Sequence, residues 1–409
     1  MAVDPKKFEI PSKESYKLEK IRHLAQKLGH PELGRRTILV AGTNGKGSTC
    51  AFLTSLFLST RKKVGTFSSP HVICPTERIR INRKPISKAI LKKYETRYRG
   101  ELKDLSFFER WTILAFLIFR DQKVDLQIIE VGMGGRLDAT NICEPDLSLI
   151  CPIDFDHQEV LGKSLKKIAC EKAGIMRSRQ ACFSVHQRPE AKTILFSQAK
   201  RMEALLRFLP SSSLLKRSER MKILSRSVGE HQIENAALAY SAFEYSCIKW
   251  GWRFSKNSQK ALRIENLWPG RQQVLMREPL IFVDGAHNPH SMRALAARLK
   301  RDFSGEKFHL IFGCMEDKPS HEMLSLLKPY AIDLSLPKFY PERQVPASEL
   351  AKRLSKTGIK IRAAGGSISR LAGPLAGVEN LLVTGSFYLV GEFLAWMKSK
   401  RIKLNDWRE

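Results

Sequence analysis

Thr37-Ile-Leu-Val-Ala-Gly-Thr-Asn-Gly-Lys-Gly-Ser48 is the stretch on which the reading of this chain turns. Thr37 to Ala41 is a short run of β-branched and apolar residues, the composition of a buried strand. It breaks at Gly42, and after Ser48 the apolar residues Phe52, Leu53, Leu56 and Phe57 follow at helical spacing. A strand, a glycine-rich turn holding a lysine, then a helix is the layout of a phosphate cradle. Glycines let backbone N–H groups face an anion, the helix N-terminus adds positive potential, and Lys46 supplies a formal charge. The Walker pattern is matched incompletely: Val40 stands where its first glycine would, and Gly47 separates Lys46 from Ser48. A lone glycine-rich turn is more often only a turn. The preceding strand and the lysine inside it point instead to nucleotide phosphate.

Working outward, Leu126 to Val131 reads as a second buried strand, ending in Gly132-Met-Gly-Gly-Arg-Leu-Asp-Ala-Thr-Asn141. Glu130 is an acidic residue at the end of that strand. In water it is an ordinary edge carboxylate; facing a phosphate cradle it suits Mg2+. Leu147 to Ile153 is a third strand, and Asp154-Phe-Asp-His157 follows at its C-terminal end, the edge where open α/β sheets gather ligands. The next helix carries Leu165, Ile168, Ala169, Lys172, Ile175 and Met176 on one face. Lys172 thus sits on an apolar stripe, either snorkelling or buried with a purpose.

The remaining chain alternates strand and helix signals. Residues 16–29 form an amphipathic helix pattern, Val64 to Phe67 a strand, and Ser87 to Tyr98 a helix; Ser106 opens a very apolar helix through Phe119. From Ala181 to Gly229 signals are weak and basic residues crowd. An alanine-rich helix follows, and the pattern resets near Pro269-Gly-Arg271. Strands at Pro279 to Asp284, Phe308 to Phe312 and Leu381 to Thr384 suggest a second α/β domain. The fold class is therefore α/β: an N-terminal P-loop mononucleotide-binding domain (1–270) with a mostly parallel sheet, and a smaller Rossmann-like C-terminal α/β domain (271–409).

Bulk properties narrow the function classes. With 409 residues and 43 % hydrophobic content the chain is globular. Eight scattered cysteines without a C-x-x-C pair argue for reduced thiols and a cytoplasmic location, against zinc or a disulfide framework. No apolar run is long enough for a bilayer. The net charge of +29 invites a nucleic-acid reading. The basic residues are spread along the chain with only local crowding at Lys200 to Arg226 and no interleaved aromatics, so no nucleic-acid partner and no membrane partner is expected.

Taken in order, these segments resemble the folylpolyglutamate synthase/dihydrofolate synthase family of the Mur ligase superfamily. The likeness runs from about residue 16 to 395. It rests on Gly42 to Ser48, Ser69-Pro-His71 with Glu77-Arg-Ile79, Glu130 to Asn141, Asp156-His157, Leu161-Gly162, Glu171 to Ile175, Asp284-Gly-Ala-His-Asn-Pro289, Asp317-Lys318 and Thr384-Gly-Ser386. The resemblance implies ATP phosphate binding by Thr43, Asn44, Gly45, Lys46, Gly47 and Ser48, with Asn235, Arg271 and Asp284 as further nucleotide contacts. It implies Mg2+, two ions, held through Ser69, Glu130 and His157, and a carbamate on Lys172; Lys46, Lys172 and His157 would be the catalytic set. Ser106, Phe107, Phe108 and Glu109, with Leu137, Asp138 and Ala139, would hold the pteroate. Three departures stand out: Lys17-Leu18 for a Gly-Leu pair, Asp154 for a small residue, and Ser106 for a threonine.

The implied activity is ATP-dependent addition of L-glutamate to dihydropteroate and to tetrahydrofolate or its polyglutamates, through an acyl phosphate, by a monomer. Alternatives are a monofunctional folylpolyglutamate synthase, a cell-wall Mur ligase acting on UDP-linked substrates, and a P-loop NTPase associated with nucleic acid.

Overall fold

The computed structural model describes residues 18–210, 229–262, 268–339, 344–376 and 379–400. Lys17, the first positions of the 16–29 pattern and the basic crowding from 211 to 226 lie outside them. The chain divides into two compact units, 1–70 with 76–267, and 71–75 with 268–409. The excursion of 71–75 into the second unit carries no sequence signal.

The first unit is built on an eight-stranded sheet: β1 (Arg36–Ala41), β2 (Val64–Phe67), β3 (Ile79–Ile81), β4 (Lys84–Pro85), β5 (Leu126–Glu130), β6 (Leu147–Ile150), β7 (Ala181–Ser184) and β8 (Leu205–Phe208). The order is β4-β3-β2-β5-β1-β6-β7-β8, parallel except where β3 pairs with β2 and β4. β1 lies in the middle, and its last residues alternate between two cores. Leu39 and Ala41 face one with Phe116 and Ile168; Ile38 and Val40 face the other with Phe57 and Phe243. Burial on both sides explains why this strand reads as a continuous apolar run.

Helices cover both faces: among them α1 (Glu19–Lys27), α2 (Lys46–Leu58), α3 (Phe107–Asp121), α4 (Leu165–Ala173), α5 (Pro189–Arg201) and α6 (Glu230–Trp250). α2 and α6 pack on one side, with Phe57 and Phe243 rings 5.1 Å apart. β7, α5 and β8 occupy the stretch with weak signals. β8 is an edge strand whose Leu205 is 62 % exposed, so its residue types do not follow its alternating burial.

The second unit holds a six-stranded sheet of β9 (Gln273–Arg277), β10 (Leu280–Asp284), β11 (Phe308–Phe312), β12 (Ala331–Leu336), β13 (Ile361–Ala364) and β14 (Leu381–Thr384). Its order is β13-β12-β11-β14-β10-β9, with only β9 antiparallel. α7 (Pro289–Asp302) follows β10 and α8 (Phe387–Ser399) follows β14.

Candidate functional site

The phosphate cradle forms at the C-terminal edge of β1. Gly45 caps α2 in the left-handed region, φ 84°, and no side chain caps this helix. Its first-turn N–H groups therefore face the loop, as an anion site requires. The Lys46 ammonium donates to the carbonyls of Gly42 at 3.0 Å and Thr43 at 3.1 Å, curled over its own loop. Asn235, on α6, abuts the same turn: a Cβ on Gly45 would fall 2.2 Å from its Oδ1. Among the described residues that Oδ1 is buried without a hydrogen-bond partner, while Nδ2 donates to Gln232 Oε1 at 3.1 Å. A buried unpaired acceptor beside the cradle is costly to the protein alone and suits a ligand group that donates a hydrogen bond rather than a phosphate oxygen.

Neighbouring strand ends supply the charged groups. Val40 pairs with Glu130 and Ala41 with Ile150, so Gly42, Glu130 and Cys151 end at one level. Glu130 is 2 % exposed and accepts the Ser69 backbone N–H at 3.0 Å. His157 follows β6 and adopts a left-handed backbone, φ 48°, at the cap of the short helix Gln158–Leu161. Positive φ in a non-glycine side chain is retained where the surroundings over-determine it.

Lys172 is buried on the last turn of α4 and donates to the Gly42 carbonyl at 2.9 Å. Two lysines thus converge on one carbonyl. Burial first, and the Lys46 ammonium second, push the Lys172 amine down to about 7, against the pull of Asp156 and Asp138. Cys151, beneath Gly42, is pushed up to about 12 by burial and is inert as a nucleophile. Glu130, Ser69 and His157 supply a carboxylate, a hydroxyl and an imidazole, donor types that a hard divalent cation sharing phosphate oxygens accepts.

The two segments read as pteroate-binding reach the same edge. The Phe108 ring leaves no room for a Cβ on Gly132, and it lies 5.7 Å from the Phe67 ring. Phe107 lies under the Arg78 guanidinium, 5.1 Å from its ring centroid. The polar members, however, serve the backbone. Ser106 Oγ accepts from the Glu109 N–H at 3.4 Å and Glu109 Oε2 from the Ser106 N–H at 2.9 Å, a capping box for α3. Asp138 accepts from the Met133 N–H at 2.8 Å and the Thr140 N–H at 3.0 Å; burial raises its carboxyl. Leu137 is half-buried and Ala139 buried in the turn between.

Arg271 and Asp284 belong to the second unit. Asp284 ends β10 and accepts from the N–H groups of Gln272 at 2.7 Å and Ala286 at 2.8 Å. Burial pushes its carboxyl up to about 6. The Arg271 guanidinium lies 4.7 Å from the Phe387 ring centroid. Asp154, the unusual residue before Asp156-His157, pairs with Arg188 at 3.2 Å. Pro152, whose carbonyl accepts the Thr43 N–H at 2.8 Å, was invisible in the sequence because backbone acceptors leave no mark on residue type.

Residues 40–243 match the Mur ligase middle domain and residues 270–382 the Mur ligase glutamate ligase domain, which places the chain in the Mur ligase class. The dihydrofolate synthase/folylpolyglutamate synthase of Bacillus subtilis is 33 % identical over 369 residues, 82 % of this chain and 83 % of that one. Among solved structures, the Mycobacterium tuberculosis folylpolyglutamate synthase complexed with ADP and AMPPCP superposes with a TM-score of 0.81 at 27 % identity, covering 93 % of this chain and 95 % of that one. Escherichia coli FolC in complex with DHPP and ADP gives 0.79 at 27 %, covering 94 % and 93 %. The chain belongs to the dihydrofolate synthase/folylpolyglutamate synthase family: it is an ATP-dependent ligase that adds glutamate to folates. No described helix is long and apolar enough to cross a membrane.

Proposed function

We propose that this chain performs both ligations, joining L-glutamate to dihydropteroate and to tetrahydrofolate or its polyglutamates, and that the Gly42–Ser48 edge is where ATP reacts. The observation that carries this reading is the meeting of Lys46 and Lys172 on the Gly42 carbonyl, beside the buried Glu130. The B. subtilis relative, which carries both names, supports the double activity.

A carboxylate is a poor acyl donor. One of its oxygens attacks the ATP γ-phosphorus, the bond to the bridging oxygen breaks, and ADP leaves; the glutamate amine then attacks the acyl carbon, sheds a proton, and phosphate departs. Thr43 to Ser48 bind and orient the phosphates, with the Lys46 ammonium moving from its loop carbonyls onto them. Asn235 turns its unpaired amide oxygen toward the nucleotide, and Arg271 and Asp284 are its contacts in the second unit. Ser69, Glu130 and His157 would hold Mg2+, which neutralises phosphate charge when bound.

With its amine held near 7, Lys172 has the neutral form needed to take up CO2, and the carbamate would present oxygens to a hard cation. Phe107, Phe108, Leu137 and Ala139 line the pteroate, while Ser106, Glu109 and Asp138 shape its walls. The eight free thiols fit a cytoplasmic enzyme, which we take to act as a monomer.

The test is ATP-dependent incorporation of labelled glutamate with each acceptor separately. Turnover of both is expected. Reaction with tetrahydrofolate alone makes the enzyme monofunctional; hydrolysis stimulated by nucleic acid and indifferent to folate would overturn the reading.

A further inference from the structure

The cradle does not rest on its own strand alone. Besides the Thr43 N–H, the Asn44 N–H points to the Pro152 carbonyl at 3.4 Å. The Thr43 hydroxyl bonds both the carbonyl of Asp154, at 2.9 Å, and its N–H, at 3.0 Å. Gly42 lies flat on Cys151, where a Cβ would fall 2.6 Å from the cysteine Cβ. The phosphate-facing loop therefore takes its position from residues 151–154, the chain that runs on from β6.

Those residues have passed the end of the sheet. Pairing of β6 with β7 finishes at Ile150 and Ser184, followed by one bond from the Val185 N–H to the Ile150 carbonyl at 3.2 Å. Beyond it a side chain takes over. Gln187 Oε1 accepts from the Ile153 N–H at 3.0 Å, and its Nε2 donates to the Cys151 carbonyl at 3.0 Å and to Ser184 Oγ at 3.1 Å. A primary amide offers the same acceptor and donor as a peptide unit. Reaching a carbonyl and the N–H two residues on, it acts as one more residue of a neighbouring strand. Gln187 is 3 % exposed, so water does not substitute for it. The next residue, Arg188, holds Asp154 Oδ1, which also accepts the Phe155 N–H at 2.9 Å.

We propose that Gln187, seconded by the Arg188–Asp154 pair, is a positioning residue for ATP: its side-chain amide prolongs the β6–β7 pairing by one peptide unit, fixing residues 151–154 and through them Thr43 and Asn44. This rests on the cradle being the ATP site. Gln187 touches no substrate; it acts through the segment that the phosphate loop leans on, where displacements of an ångström carry large rate costs.

Gln187→Glu keeps the acceptor for Ile153, removes both donors, and sets a carboxylate oxygen against the Cys151 carbonyl. Its KM for ATP should rise about tenfold, with a parallel loss of ADP affinity by calorimetry and an unchanged KM for dihydropteroate. A purely structural role would lower the melting temperature and the active fraction while leaving the ATP KM of the folded enzyme alone; that result overturns the proposal. Should this variant not fold, Arg188→Met and Ser184→Ala decide it. Each should weaken ADP by about two- to fivefold, and unchanged ADP affinity in both is equally fatal. Lys46→Ala is measured alongside. Normal ATP binding by that variant refutes the cradle reading; a loss there without any loss in the Gln187, Arg188 and Ser184 variants refutes this inference alone.

Discussion

At Gly42–Ser48 the fold spends Thr43 on Pro152 and Asp154 but leaves the start of α2 open. Among the described residues, Lys46 bonds only carbonyls of its own loop, no side chain caps α2, and the Asn235 Oδ1 beside Gly45 has no partner. At Ser106–Glu109 the opposite holds, since Ser106 and Glu109 satisfy each other's backbone and start α3. Both stretches begin a helix, and both carry family motifs. The difference is where the free energy goes: one helix start leaves its donors for a ligand, the other closes them internally. Substitutions in the first should therefore act on turnover and in the second on stability.

The largest effect is expected for Lys46→Ala. Removing the charge we propose for the phosphates should cost about 10²–10³-fold or more in kcat. The melting temperature should scarcely move, because only two loop-carbonyl bonds are lost. Near-normal ligation, or a collapse in stability, would break the contrast at its stronger end.

Lys172 sharpens it, being a buried amine for which we propose a chemical role at a cost to folding. Lys172→Ala should lose activity about 10–100-fold, with partial rescue by a short carboxylate such as acetate; Lys172→Arg should not restore it, since guanidinium forms no such carbamate. The stability signature has a definite sign. The amine titrates near 7 in the folded state and at its ordinary value of 10.5 once unfolded, so between these values the unfolded chain binds more protons. Stability should rise with pH across that window, and the rise should vanish in Lys172→Met. Denaturant melts of both proteins from about pH 6 to 11, bracketing that window, check it; parallel curves would refute a buried amine.

Gly45→Ala tests the cradle's geometry. The position is left-handed, and the new Cβ would meet Asn235 Oδ1. A loss of about 1–2 kcal/mol in stability should accompany a larger, separable loss of ATP affinity, read by urea melts and ADP titration. An unaltered ADP affinity would show that the Asn235–Gly45 contact is packing only.

How far the sequence disclosed this follows from the same physics. The central strands were legible because burial on both faces forces continuous apolar runs, as in Ile38 to Ala41. β7 and β8 were not: the four residues Ala-Cys-Phe-Ser of β7 are buried but mixed in type, and β8 puts the apolar Leu205 on its solvent side. Lys172 was legible from its place on an apolar stripe, and Glu130 from its charge at a strand end. Gln187 was not, because its role depends on which backbone groups the fold leaves unpaired, a property of the third dimension. The residues 71–75 join the second unit by packing of Val72 against Gly391, where a Cβ would clash with the Val72 carbonyl, and no periodicity announces that.

Ser106→Ala carries the smallest expected effect and tests the other half of the contrast. The hydroxyl accepts the Glu109 N–H, and Glu109 returns the bond to the Ser106 N–H. Alanine deletes the first bond and leaves the second, so an N–H at the start of α3 goes without its side-chain acceptor. Such a cap is worth about 1 kcal/mol, which for a unit of this size lowers the melting temperature by about 2–4 °C. The 3.4 Å length of the bond puts the effect toward the lower end. Phe107 and Phe108, the apolar surface we propose for the pteroate, keep their places because α3 is anchored by its buried face from Trp111 to Phe119. The KM for dihydropteroate should therefore stay within about twofold. Thermal melts and acceptor titrations on one preparation separate the outcomes. A rise in that KM well beyond twofold without a fall in melting temperature would mean that Ser106 spends its hydroxyl on the substrate, and the contrast with the cradle would fail at this end.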